Sequence, residues 1–155
     1  GKRGLDPKLV PMGPDIESML EECDGALIIG DRALSAAISN PDLVRMDLGS
    51  EWTKITGLPM VFGVFATRSD CPPNFVKKAR DSMLSSYRLF LDEESRQSEV
   101  ISIASQKIAL PKDRVAKYFK SEVSNILDKP SIEGLQIFLD EVCGLGPGPS
   151  WFQSD

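Results

Sequence analysis

The hydrophobic pattern of this 155-residue chain changes period once, at Cys71-Pro72-Pro73, and that change limits the folds open to it. Before it stand two strand-length apolar runs. Ala26-Leu27-Ile28-Ile29 is bounded by Gly25 and by Gly30-Asp31; an unbroken run of this kind predicts a strand buried on both faces, as in a parallel or mixed sheet. Met60-Val61-Phe62-Gly63-Val64-Phe65-Ala66-Thr67 is β-branched and aromatic and predicts a second strand, with Gly63 allowing a bend or a close backbone approach. A weak alternation over 43–47 suggests a short edge strand. Short helices are predicted between these runs. Asp15 can cap one carrying Ile16, Met19 and Leu20. Residues 32–39 form another, stopped by Asn40-Pro41, and 49–56 a third, ended by Gly57 and Pro59.

From Asn74 onward only helical spacing remains, in four segments. The first places Val76, Ala79, Met83, Tyr87 and Phe90 on one face, and the second covers 94–110. The third follows Pro111 with Val115, Tyr118 and Phe119. The fourth starts at a cap, Ser131, carries Ile132, Leu135, Phe138, Leu139 and Val142, and is terminated by Gly144 and Pro147. The reading is therefore α/β, a small α/β unit followed by a helical array. A sheet of so few strands looks incomplete, with edges left to pair elsewhere. Gly1 is not an initiator Met, which suggests processing or a fragment of something longer.

The histidine count is zero, and that removes whole classes of chemistry. No Ser-His-Asp triad, no Cys-His pair, no His-ligated zinc or haem and no imidazole proton shuttle can be built. Three cysteines, Cys23, Cys71 and Cys143, are odd in number and contain no CxxC pair, which suits reduced thiols in a cytoplasmic protein. With 18 Lys+Arg against 23 Asp+Glu the net charge is −5, and no basic stripe offers itself to nucleic acid. No run reaches membrane-spanning length, and no apolar signal stretch follows Gly1-Lys2-Arg3. Neither a nucleic-acid nor a membrane partner is expected.

Two places could carry chemistry. Gly30-Asp31 joins a predicted buried strand to a helix, where ligands of open α/β sheets gather and free helix N–H groups meet anions. There Gly30 would let the backbone approach a ligand, and Asp31 would orient a hydroxyl or a proton. The plainer reading is that Asp31 caps the helix beginning at Arg32. Trp52, Thr56 and Gly57 form the second cluster, with Trp52 as a pocket wall and Thr56 as a hydrogen-bond donor. The plainer reading there is a core tryptophan beside a turn threonine. Lys77, Lys78 and Arg80 read as a solvated face. Asp92-Glu93-Glu94 lacks the alternating ligand spacing of a calcium loop. Gly144-Leu145-Gly146-Pro147-Gly148 has no preceding strand and is a poor phosphate cradle.

Taken together the segments form a signature. Its first part is Ala26-Leu27-Ile28-Ile29-Gly30-Asp31-Arg32-Ala33-Leu34 followed by Asp47-Leu48-Gly49-Ser50-Glu51-Trp52. Its second part is Thr56-Gly57-Leu58-Pro59-Met60-Val61-Phe62-Gly63-Val64-Phe65-Ala66. In this order and spacing they resemble the chorismate dehydratase family of the futalosine route to menaquinone. The region of Tyr118 and the helix with Gly134, Leu135 and Phe138 extend the likeness over most of 12–144. The resemblance implies a type II periplasmic-binding-protein-like fold of which this chain looks like the C-terminal half. Residues 1–58 would be the remainder of the second α/β lobe, 59–68 a hinge strand, 69–144 the C-terminal helices and 145–155 a mobile tail. A sister family that cleaves a later intermediate relies on a histidine that this chain does not have.

The implied activity is a carbon–oxygen lyase that dehydrates chorismate to 3-[(1-carboxyvinyl)oxy]benzoate in the cytoplasm, with no metal or other cofactor. Asp31 would be the orienting catalytic group, and Gly30, Thr56, Gly57 and Trp52 would bind substrate. Part of the cleft is expected to lie outside the chain, so that it could be inactive alone. Two other readings compete: a non-catalytic small-anion binding module of the same fold, and a helical interaction protein whose start merely supports the array. Self-association into a homo-oligomer stays open, because an unpaired sheet edge favours pairing with another chain.

Overall fold

The computed structural model describes Gly4, residues 6–146 and residues 148–152. Seven α-helices lie within them: α1 (Ile16–Glu22), α2 (Asp31–Ser39), α3 (Leu48–Thr56), α4 (Pro73–Asp92), α5 (Glu94–Ile108), α6 (Lys112–Lys117) and α7 (Lys129–Ile137). Two of them run on into a π-helical turn, α6 into Tyr118–Glu122 and α7 into Phe138–Val142.

Aspartate starts three of these helices, each time in the spacing Asp-x-x-Ser. Asp15 Oδ1 accepts from both the N–H and the hydroxyl of Ser18, at 2.9 and 2.7 Å. Asp128 Oδ1 does the same with Ser131, at 3.0 and 2.6 Å. Asp47 Oδ1 accepts from the N–H of Ser50 at 2.6 Å. Each of the three N–H bonds satisfies one of the donors that a helix start leaves without an internal partner. The cap of α7 is thus Asp128 rather than Ser131, and the helix begins two residues earlier than that serine. At the other ends, α3 stops where Gly57 turns left-handed at φ 75°. α5 stops at Ala109, a non-glycine residue with positive φ, at 53°.

The α/β reading, and with it the periplasmic-binding-protein-like fold, is not what the structure contains. Among the described residues there is no strand and no sheet. Residues 26–29, 43–47 up to the start of α3, and 60–67 all lack regular secondary structure. The physical reason is that a strand exists only as a member of a ladder. The apolar runs have the right side chains, but no neighbouring segment supplies their N–H and C=O groups with partners. Their side chains stay in water accordingly: Leu27 is 74% exposed and Ile29 77%.

The chain divides into two compact units, Gly1–Arg45 and Met46–Asp155. In the first, none of the described residues is buried. Its order comes from polar ties: Arg32 Nη1 donates to the carbonyl of Pro14 at 3.1 Å, and Arg45 Nη1 to that of Ala37 at 2.9 Å. The predicted helix over 32–39 is present as α2, ending at Asn40.

The second unit holds the core. Ile101 of α5, Leu110, Val115 of α6 and Leu135 of α7 are buried. Burying a valine such as Val115, 2% exposed, is worth about 1.5–3 kcal/mol. α4 packs along α5, and α5 against α6. Rings extend this packing: Phe90 meets Phe119 edge-on at 5.7 Å, which ties α4 to the first π turn. On α4 the half-buried positions are Val76, Leu84, Tyr87 and Phe90, whereas Met83, expected on the inner face, is 38% exposed. Residues 145, 146 and 148–152 carry no regular secondary structure beyond turns. Pro147, expected to end the last helix, the close of the expected mobile tail at 153–155 and the start at 1–3 lie outside the described residues. No helix among the described residues is long and apolar enough to cross a membrane.

Candidate functional site

Gly30 takes φ 69° and ψ −146° at the entry to α2, a backbone state that favours glycine. Its carbonyl accepts the first helical bond, from Leu34 N–H at 3.1 Å, and no side chain caps the helix. Asp31 is the first residue of α2 rather than its cap. Its carboxylate is exposed and accepts no hydrogen bond among the described residues. Both the helix-start N–H groups and the Asp31 carboxylate are therefore unspent. A negative charge in the first turn also favours the helix.

Nearby in the same unit, Arg32 joins this segment to the loop before α1. The Asp15 carboxyl lies below its ordinary value of 3.8. The Ser18 N–H is the largest cause and the Ser18 hydroxyl the next; desolvation opposes them, and the charge of Arg32 adds the least.

The second unit brings Trp52, Thr56 and Gly57 together on the last turn of α3. The Thr56 hydroxyl donates to the carbonyl of Trp52 at 2.9 Å and accepts from Leu58 N–H at 3.1 Å. Its proton and its lone pair are committed to closing the helix and to launching the Leu58-Pro59 turn. Gly57 supplies the left-handed residue of the same closure. Trp52 is half-buried, with its ring edge-on to Phe138 at 5.7 Å and 76°. Its indole Nε1 is buried without a hydrogen-bond partner. A buried N–H in that condition is costly, and it is the one donor of the three residues not already spent. Gly30 and Asp31 belong to the first unit, and Trp52, Thr56 and Gly57 to the second.

Sequence reasoning missed several positions around this second cluster. Phe138, expected on the apolar face of the last helix, is the ring against which Trp52 packs. Gly134 lies so close to Pro59 that a Cβ added to it would stand 2.5 Å from the Pro59 carbonyl oxygen. No local pattern announces either contact, because both depend on residues far apart in the chain. Asp47 and Asp128 could have been found: they repeat the Asp-x-x-Ser spacing of Asp15 and Ser18.

Cys23, Cys71 and Cys143 are free thiols. Among the described residues no group of three or more Cys, Asp or Glu side chains is placed to hold a metal ion. A family model described as menaquinone biosynthesis matches residues 1–142. No solved structure matches the chain.

Proposed function

Because the chain belongs to the menaquinone biosynthesis family, we propose that it serves that biosynthesis as a lyase that dehydrates chorismate to 3-[(1-carboxyvinyl)oxy]benzoate. In this reading the C–H bond at ring carbon 3 gives up its proton, and its electron pair forms the new ring double bond. The C–O bond at carbon 4 then releases hydroxide, and one water leaves in sum. Aromatisation supplies the driving force, so that orientation of the breaking bonds is what the protein must contribute.

Asp31 would orient the departing hydroxyl. The observation that carries this assignment is that its carboxylate, within the motif block 26–34, is exposed and free of any hydrogen bond among the described residues. An ionised carboxylate accepts from a hydroxyl but repels the two carboxylates of chorismate, which suits it to the leaving group alone. Gly30, with no Cβ, lets substrate approach the backbone, and the unspent N–H groups at the start of α2 favour an anion. Thr56 and Gly57 contribute by fixing the turn after α3, since the threonine hydroxyl is already engaged on both sides. Trp52 contributes in the same way, its ring set edge-on against Phe138 behind that turn.

The test is to incubate the purified chain with chorismate and follow, by chromatography and mass spectrometry, the appearance of a product lighter by one water. Formation of 3-[(1-carboxyvinyl)oxy]benzoate above the rate without protein supports the reading. A folded chain that binds chorismate without converting it would favour a small-anion binding module instead. Absence of both binding and conversion in the full-length protein that carries this sequence would overturn both.

A further inference from the structure

The turn that closes α3 is seated on one face of α7, by two contacts a single helical turn apart. The first is at Gly134, which is buried. Its lack of a Cβ lets the next segment come close: an added Cβ would stand 2.5 Å from the Pro59 carbonyl oxygen and 3.4 Å from the Leu58 Cβ. The second is at Phe138, four residues on and so on the same face, where Trp52 meets the ring edge-on at 5.7 Å. Between these contacts the Thr56 hydroxyl bonds both to the Trp52 carbonyl and to Leu58 N–H. Trp52, Thr56 and Leu58 are thus one linked unit, and both of its ends press on α7.

The support itself is fixed. Leu135, next to the first contact, is part of the core, and the Asp128 carboxylate caps the helix start. The winding of α7 also changes at the residue that carries the ring. Phe138 N–H is shared between the carbonyls of Gly134 and Leu135, and Cys143 N–H closes the π turn on the Phe138 carbonyl at 3.2 Å. Such π turns are rare and occur frequently at functional sites.

We propose that Phe138 is a positioning residue for the proposed reaction, holding the turn at 56–59, together with Gly134, in the geometry that receives chorismate. The proposal rests on the role given above to Thr56 and Gly57. A loosened turn is competent only part of the time, and apparent affinity falls by that fraction. A substrate once bound selects the competent state and reacts at its usual rate. An edge-on ring contact is strong enough to shift such an equilibrium roughly two- to tenfold. A residue that merely supported the fold would act differently. Its loss would lower the amount of active protein, and with it the apparent kcat, at constant KM.

The test uses the full-length protein that carries this sequence. Phe138→Leu stays apolar and loses the ring edge. Phe138→Met, more adaptable in packing, is read in the same way should the leucine variant not fold. In the first arm, turnover of chorismate is expected to show KM raised roughly two- to tenfold with kcat little changed. In the second, amide exchange at Gly57 and Leu58, followed by NMR, is expected to quicken by a similar factor while Leu110 and Val115 of the core stay protected. Unchanged exchange at Gly57 and Leu58, or a lower kcat at constant KM, would overturn the proposal. If the unsubstituted protein converts no chorismate, the proposed reaction falls by itself, and the exchange arm still decides whether Phe138 holds the turn.

Discussion

Ser105 and Leu110 are joined twice. The Ser105 carbonyl accepts from Leu110 N–H at 3.2 Å, and the Ser105 hydroxyl donates to the Leu110 carbonyl at 2.6 Å. Both residues are buried, so this pair of bonds closes α5 and turns the chain toward α6 without leaving a core carbonyl unsatisfied. Ser105→Ala keeps the helix propensity but orphans that carbonyl. It should destabilise the fold by about 1–3 kcal/mol, read as a lower urea midpoint at unchanged slope.

Between those two residues Ala109 holds φ 53°. A left-handed backbone crowds the Cβ of an L-residue, and glycine is the usual occupant of such a helix end. Ala109→Gly relieves that crowding at the cost of greater freedom in the unfolded chain. The net expectation is a gain of about 0.5–1 kcal/mol, and a thermal midpoint that does not rise would contradict it.

Gly134 sits inside α7, where alanine would ordinarily be the better helix former. Here the added methyl would stand 2.5 Å from the backbone oxygen of Pro59, and a backbone atom cannot swing aside as a flexible side chain can. Packing should win over propensity. Gly134→Ala is expected to cost about 1–3 kcal/mol, whereas an exposed glycine replaced by alanine in a regular helix gains stability.

The Asp128 carboxyl is held below its ordinary value of 3.8, first by the Ser131 hydroxyl and next by the Ser131 N–H, against the opposing effect of desolvation. A depressed value in the folded state means that the ionised form is the one the fold prefers. Its stabilisation is fully present above pH 3.8 and is lost as the pH falls through the lower folded value. Asp128→Asn can still cap but cannot ionise, so that acid titration of its stability should be flatter than that of the unsubstituted chain. Equal slopes in that range would count against the assignment.

Asp31→Asn tests the proposed chemistry. The amide keeps the shape and loses the charge that would hold the departing hydroxyl in line. A fall of about a hundredfold in kcat with little change in KM is expected. Unchanged turnover would remove Asp31 from the reaction, provided that α2 still forms, which helical circular dichroism would show.

The positions of the helices were legible because their signals are local. Asp15 before Ile16, Asn40-Pro41 after Ser39, Gly57 after Thr56 and Pro72-Pro73 before Asn74 each act within a turn of the chain, so that their effect does not depend on what lies elsewhere. The same holds for the resemblance carried by the blocks 26–34, 47–52 and 56–66, which agrees with the family matched over residues 1–142. The candidate site was legible only as a list. That a helix follows Gly30-Asp31 was legible in the sequence; that Gly30 opens it at positive φ, and that Thr56 spends its hydroxyl on Trp52 and Leu58, was not.

What the sequence determined by itself is therefore the approximate positions of the helices, the Asp15 cap and the family, since each rests on contacts between near neighbours or on the order of residues. Whether residues 26–29 and 60–67 become strands was decided by the tertiary structure alone. Their alternation and branching suit a sheet, but a strand's hydrogen bonds lie between segments, and no amount of local preference supplies the neighbour. The same is true of Trp52 against Phe138 and of Gly134 beneath Pro59. Such contacts are fixed by the packing of α3 and α7 in space, where shape and excluded volume, rather than spacing along the chain, select the partner.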